Sequence, residues 1–322
     1  IVKALSPRTP VIAGGIYATL CPGHASTHIG ADLLYSGRID KTRGKNMGHD
    51  ISLLMTNLGI RLGAVRNVRP YYKLGLYEEY PFAPLMTGSG CPYKCTYCAS
   101  SLLYDGFFQY SPDDIINDIR ELSRMGVRDF AFYDDALLVN ADSHLKIVLK
   151  EVIRSGLNIR FHCPNGVHAR FIDDELAYLM KQAGFTTLRL SLETVNSARQ
   201  TETGGKVSTD IFSLAVQNLK RHGFTKQQVG VYLMYGLPGQ QLAEVREGVE
   251  FIKGLGLRTN LTEFSPLPGT SCWRELTDRG VMSGDIDPLL TNNSVFSLLF
   301  AGYDPAELEA LKLRVKKYNS EY

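Results

Sequence analysis

Thr186-Thr-Leu-Arg-Leu-Ser-Leu-Glu193 places leucine at every second position and polar residues between. Successive side chains of a strand point to opposite faces, so Leu188, Leu190 and Leu192 share one face while Thr187, Arg189, Ser191 and Glu193 share the other. The apolar face suits packed helices. The polar face is wrong for a filled barrel interior and fits a cavity that holds a polar ligand. Strand-like stretches start near residues 84, 129, 158, 186, 228 and 258, and the last five recur at roughly one βα unit each. Helix patterns lie between them. Pro112 to Arg124 follows the N-cap candidate Ser111 and carries Asp113 and Asp114 in its first turn. Ile172 to Gln182 stops at Gly184, Asp210 to Arg221 stops before Gly223, and Gln241 to Lys253 precedes Gly254. Six consecutive βα-type units predict an α/β fold, with a parallel sheet curled into a full or partial barrel.

The bulk properties narrow the classes. The chain has 322 residues, 44% of them hydrophobic, enough for one large domain and a smaller partner. A net charge of +2, from 35 basic and 33 acidic residues, gives no electrostatic reason to expect nucleic acid or a membrane surface as partner. No apolar run approaches the ~20 residues of a membrane span, and no secretory signal opens the sequence, so a cytoplasmic location is expected. The chain begins Ile1-Val2-Lys3 without an initiator methionine, as a piece of a longer protein would.

Of six cysteines, three crowd into Gly88-Ser-Gly-Cys-Pro-Tyr-Lys-Cys-Thr-Tyr-Cys98. Their spacing is C-x3-C-x2-C, in the loop after the first barrel strand. The carboxyl end of a parallel strand is where such folds place active sites. Three thiolates are natural ligands for an iron–sulfur cluster, and on four irons they leave one iron open for a reactive ligand. Gly88 and Gly90 are expected to let the loop wrap a bulky inorganic core. A closed zinc site is the alternative, but it needs a fourth ligand, and no second Cys or His pair of suitable spacing exists.

Cys91, Cys95 and Cys98, with Tyr97 before the last, resemble the signature of the radical S-adenosylmethionine (SAM) superfamily, and the resemblance runs over about residues 83–270. It implies a partial (β/α)6 TIM-like barrel in which the three cysteines hold a [4Fe–4S] cluster and the open iron binds SAM. Further positions are matched one by one. Tyr133, Asp134 and Asp135 end the second strand, where the family binds the SAM amino group. Glu193 ends the fourth, at the ribose or carboxylate end of SAM. The fifth strand runs Gly230 to Gly239 and resembles the segment that packs on adenine, with Gly236, Leu237 and Pro238 at its end and Tyr232 and Met234 facing the cavity. Asn165 and Arg170, after the third strand, are further cofactor or substrate candidates. The electron would come from a donor such as flavodoxin or ferredoxin.

Residues 1–38, with Gly14-Gly15-Ile-Tyr-Ala-Thr19 and Gly30-Ala-Asp32, resemble the second half of a flavodoxin- or Rossmann-like cobalamin-binding domain that precedes the barrel in a large subgroup. Gly14 and Gly15 are its candidate cofactor residues. The cobalt-ligating Asp-x-His-x-x-Gly motif is absent from the sequence. The expected organisation is thus 1–38 for the partial domain, 39–82 for a linker, 83–270 for the barrel, and 271–322 for a C-terminal helical extension that closes one barrel end. The resemblance implies a cobalamin-dependent C-methyltransferase acting on a small, natural-product-type molecule. Cobalamin-independent cyclisation, rearrangement or group transfer stays open, as do tRNA methylthiolation and a non-enzymatic iron–sulfur role.

Overall fold

The computed structural model describes residues 2–37, 55–56, 58–60, 79–292, 295–296 and 299–321. The expected linker 39–82 lies almost wholly outside them. Near the N-terminus, β1 (Ile12–Ala13) and β2 (Leu33–Leu34) pair in parallel, with the helices Ile16–Leu20 and Pro22–His28 between them. A parallel pair needs such a crossover, so this is a βα unit of the open-sheet type anticipated.

The main sheet contains β3 (Phe82–Leu85), β6 (Asp129–Phe132), β7 (Arg160–His168), β8 (Phe185–Glu193), β9 (Val229–Tyr235) and β10 (Arg258–Glu263). They stand side by side in that order, every neighbour parallel. Since β3 and β10 do not pair, the barrel is open at one side. A short antiparallel ribbon of β4 (Gly88–Ser89) and β5 (Phe108–Gln109) stands beyond the end of β3; the sequence reading had no place for it.

The predicted helices form over Pro112–Arg124, Asp174–Gln182, Thr209–Arg221 and Leu242–Gly254. Ser111 caps the first through a bond from the Asp114 amide, and Asp173 caps the second through the Leu176 amide. A further helix, Leu145–Ser155, was not anticipated, although Leu145, Val148, Leu149 and Val152 already mark its buried stripe.

The core lies between the sheet and these helices. Leu188, Leu190 and Leu192 are 0–1% exposed. Beside them Phe132, Phe161 and Phe185 pack ring to ring, with centroids 5.1–5.8 Å apart.

The C-terminal stretch corrects one expectation. Its long helix, Pro305–Ser320, joins the outer layer: Leu308, Leu311 and Val315 are buried in the same core, against β10 and the helix Leu242–Gly254. Asn319 secures it to the open edge, accepting from the Thr259 amide at 3.1 Å and donating to the Thr259 carbonyl at 2.7 Å. An edge strand presents unpaired backbone groups, and a side-chain amide satisfies one donor and one acceptor at once. Coverage of the barrel end falls instead to earlier residues. The helix Ser271–Asp278 and Phe296 form a second apolar cluster with Leu237 and Phe264, against which Tyr97 and Met234 pack.

Candidate active site

The cysteine loop is bonded by the Thr203–Gly205 turn that follows β8 and by the helix Ser271–Asp278 that follows β10. The loop is entered through the β4–β5 ribbon, and here the glycines serve a different purpose from the one expected. A side chain on Gly88 would collide with the Phe108 carbonyl, and one on Gly90, which has φ +72°, with the Gly106 carbonyl. They admit the returning strand.

Cys91 and Cys95 are half-buried, Cys98 is exposed, and all three are free thiols. The Thr96 amide donates to the Thr203 carbonyl (3.3 Å), the Cys272 amide to the Thr96 carbonyl (3.0 Å), and the Ser100 amide to the Cys98 Sγ (3.4 Å). A Cβ on Gly204 would sit 3.1 Å from the Cys95 Cα, so the Gly204-Gly205 turn lies flat against the loop. Tyr93 leans on His168, their ring centroids 4.8 Å apart, with the Arg170 guanidinium 5.4 Å from the Tyr93 ring centre.

Among the described residues, no three His, Cys, Asp or Glu side chains converge on a point suited to one metal ion. A [4Fe–4S] cluster takes each thiolate on a different iron, and this loop offers three free thiols for it.

Among the described residues Glu193 is one of two non-glycine residues with positive φ (+69°), and it sits at a register shift between β8 and β9. Such a backbone costs of order 1–3 kcal/mol and persists where the surroundings impose it. Its carboxylate accepts from Lys206 at 3.0 Å, the two side chains being 12% and 15% exposed. Burial alone would lower the Lys206 pKa. Glu193, and after it the Cys95 and Cys98 thiols, turn the net shift upward. Tyr97 is pushed well above its ordinary value, first by burial and then by Glu193 and Cys95. Burial pushes the Cys91 thiol up to about 11 and raises Cys98. The pocket therefore disfavours bare thiolates, with Lys206 as the cation facing them.

The three residues at the end of β6 separate. Strand alternation puts Ala131 and Tyr133 on the lumen side and Phe132 and Asp134 on the helix side. Asp134 is 7% exposed and accepts from both the amide (2.8 Å) and hydroxyl (2.7 Å) of Thr87, tying β6 to β3. Its Oδ2 has no partner, and burial pushes the carboxyl up to about 7. In this structure Asp134, assigned from sequence to the cofactor, is engaged by Thr87 instead. Asp135 is exposed, accepts from the Ser100 hydroxyl (2.7 Å), and raises Cys91 and Cys98 by its charge. Tyr133 is 48% exposed, and the Asn165 amide donates to its carbonyl at 3.2 Å. Tyr232 reaches across the lumen to the Pro164 carbonyl at 2.6 Å. Arg170 is occupied by the Gly205 carbonyl.

After β9, Gly236 has φ +87° and its amide donates to the Tyr303 hydroxyl at 3.1 Å. Leu237 is buried, and the Pro238 carbonyl accepts from Arg199 at 2.9 Å. Arg199 also pairs with Glu244 at 2.9 Å. Gly14 and Gly15 lie before the helix Ile16–Leu20, which packs on Ser100–Leu103 directly after Cys98.

Lys206, His168, Tyr93 and the Arg199–Glu244 pair were missed from sequence. Only the Gly204-Gly205-Lys206 run offered a signal: paired glycines followed by a lone cation, in the segment after a strand-end acid.

An open parallel barrel with three free thiols and a strained, paired carboxylate at its carboxyl end defines a cofactor-binding enzyme core. The model of the radical SAM superfamily matches residues 85–252, more than half of the chain, and the chain belongs to that superfamily. An uncharacterized methyltransferase of Pyrococcus horikoshii is 29% identical over 63% of this chain and 45% of its own length. A probable threonylcarbamoyladenosine tRNA methylthiotransferase of the same organism is 24% identical over 60% and 47%. The chain thus spans less than half the length of these relatives. Among solved structures, the cobalamin-dependent SAM radical enzyme OxsB with aqua-cobalamin bound has a TM-score of 0.64 at 12% identity, over 96% of this chain and 58% of that one. At that identity the likeness speaks for the fold, and it extends through the N-terminal βα unit.

Proposed function

We propose that this chain is the catalytic core of a radical SAM C-methyltransferase, with Cys91, Cys95 and Cys98 as cluster ligands. The observation that carries this is the juxtaposition of three uncrosslinked thiols with the Lys206–Glu193 pair at a strained strand end. With its cofactors bound, such a centre passes one electron to SAM, breaks the C5′–S bond, and leaves methionine and a 5′-deoxyadenosyl radical able to take a hydrogen atom from carbon. The chain's own residues bind and orient. Asp135 and the Tyr133 carbonyl face the loop from β6 and suit an ammonium donor. Glu193 suits hydroxyl donors. Gly236, Leu237 and Pro238 offer a backbone turn held rigid by Tyr303 and Arg199. Tyr97, Met234 and Leu237, with Cys272, Leu276 and Phe296, form an apolar cover that would keep water from the cofactor end.

Methyl transfer is supported by the name of the Pyrococcus relative, and cobalamin by the OxsB-like fold, which takes in the described residues 2–37. The helix Ile16–Leu20 stands against Ser100–Leu103, which puts that unit on the cluster's side of the barrel. A small-molecule substrate and a reduced flavodoxin or ferredoxin complete the reading. Free thiols suit a reducing compartment such as the cytoplasm, and among the described residues no helix is long and apolar enough to cross a membrane. The second reading, methylthiolation of tRNA, is favoured by the other Pyrococcus relative.

The deciding experiment is anaerobic reconstitution, reduction and addition of SAM, with 5′-deoxyadenosine measured by chromatography. A sample with a full cluster that releases none refutes the reading. Cobalamin copurifying with the chain, and a methyl group rather than sulfur gained by substrate, separates the first reading from the second.

A further inference from the structure

The lumen has a second polar level, away from the cysteines. Arg189 on β8, Gly230 on β9 and Arg258 on β10 are register partners, so they form one row across three strands. The row faces the lumen, because the residues on either side of it along β8 and β9, Leu188, Leu190, Val229 and Val231, are buried toward the helices. Two guanidiniums therefore flank a position with no side chain. Their Cα atoms stand about 10 Å apart, two strand spacings. One small anion fits between forks at that separation.

The Asn260 amide and the Arg189 stem close over Gly230, so the seat they make lies above it. A Cβ on Gly230 would collide with Asn260 Oδ1 and come within 3.2–3.3 Å of Arg189 Cδ and Nε. Among the described residues, neither arginine has a carboxylate ion-pair partner; Arg189 donates only to its neighbouring carbonyl, that of Leu188, at 3.2 Å. Burial lowers the Arg189 pKa; Tyr232 partly offsets this, and Arg258 adds a smaller lowering. Lys206, Arg199 and Lys146 pair with carboxylates, and Arg170 and Lys181 donate to carbonyls of distant segments.

We infer that Arg189, Arg258 and Asn260 form a seat for an anionic group, carboxylate or phosphate, carried by the substrate. That the ligand is the substrate rests on the radical SAM reading; that the seat binds an anion does not. Arg189 lies four residues before Glu193, or about 13 Å along the strand. Tyr232 roofs the β7 side. On the other side a cavity of about 850 Å³ leads from Arg258 and Asn260 toward Lys312 and Lys316, at the open barrel edge. Glu263 in its lining pairs with Lys312 at 3.1 Å, which leaves Lys316 as the further base there without an ion-pair partner among the described residues.

The test is thermal denaturation of the full chain, free of cluster and SAM, titrated with inorganic phosphate or succinate against chloride of matched ionic strength. Saturable stabilisation beyond chloride is expected with at least one probe, and the probe that binds tells phosphate from carboxylate. Arg189→Gln and Arg258→Gln should each weaken it about tenfold or more, the loss of one charge-assisted contact. Arg279→Gln, whose side chain pairs with Glu275 on the surface, should bind as the unaltered chain does. Gly230→Ala keeps both charges but fills the gap, and should also weaken binding; it decides the matter if an arginine variant fails to fold. Absence of any effect beyond chloride, or full affinity in a folded Gly230→Ala protein, overturns the inference. Because no cofactor is involved, failure here leaves SAM cleavage untouched, and failure of SAM cleavage leaves this seat standing.

Discussion

The two ends of the barrel are built on opposite rules. At the amino ends of β6 and β7, charges are matched and accessible. Asp129 takes two bonds from Arg160, both 2.6 Å, and one from His162 at 2.9 Å, and these hold its carboxyl at about 2. At the carboxyl end, Glu193 is strained, Asp134 keeps an unpartnered oxygen, and His168 is held neutral by burial, its pKa near 3, with Nδ1 unpartnered. The first arrangement is ordinary surface stabilisation. The second costs folding energy and repays it only when something binds.

Substitutions can break this contrast or sharpen it. The largest effect belongs to Cys95→Ala, which should reduce iron after reconstitution to background while the fold survives by circular dichroism; undiminished iron would remove the cluster assignment. Lys206→Met comes next. It leaves Glu193 buried without its cation, a loss of about 3–5 kcal/mol by denaturant titration, and Lys206→Met with Glu193→Gln should recover part of it. If the single change costs nothing, the carboxyl end is not the strained region described.

Asp134 gives the contrast a pH signature. Its folded pKa of about 7 lies above the ordinary 3.8, so the folded state holds the proton more tightly. Its stabilising effect is complete below about pH 4 and is lost as pH rises through 7, a swing of order 4 kcal/mol. Asp134→Asn should abolish that fall, so its melting temperature should gain on that of the parent steadily from pH 4 to 8. His168 works the other way, since its lowered pKa costs stability as pH falls from about 6.5 toward 3. Leu190→Ala probes the helix-facing layer; a loss of about 3 kcal/mol with unchanged iron content is expected. Smallest is Arg160→Gln at the amino end. Its side chain is 59% exposed, and the pair should be worth no more than about 1 kcal/mol.

Much of the barrel was legible beforehand because each strand of the sheet carries its own local code. The alternation of Leu188, Leu190 and Leu192 with polar partners needs no long-range information, and neither do Ser111 and Gly184 as helix start and stop. The β4–β5 ribbon was hidden because each strand has only two residues, too few for a period to show. The role of Gly88 and Gly90 was misread for a related reason. A glycine reports that a side chain is excluded there, but not by what. Asp134 and Asp135 were indistinguishable as neighbouring acids, and strand alternation, once the register of β3 against β6 is known, sends one to Thr87 and the other to the cysteine loop.

The sequence by itself determined the chemistry on offer: three thiols at C-x3-C-x2-C spacing, acids at strand ends, and a repeating βα pattern to array them. Those are local facts, carried by residue type and short spacing. Only the tertiary structure decided which groups meet. It brought Lys206 to Glu193 and to the cysteines from a turn more than a hundred residues beyond the loop, and aligned Arg189 with Arg258 across Gly230. It also sent the last helix along the open edge instead of across the barrel mouth. Such pairings follow from sheet order and register, which are set by packing of the whole apolar layer and are written in no short stretch of the chain.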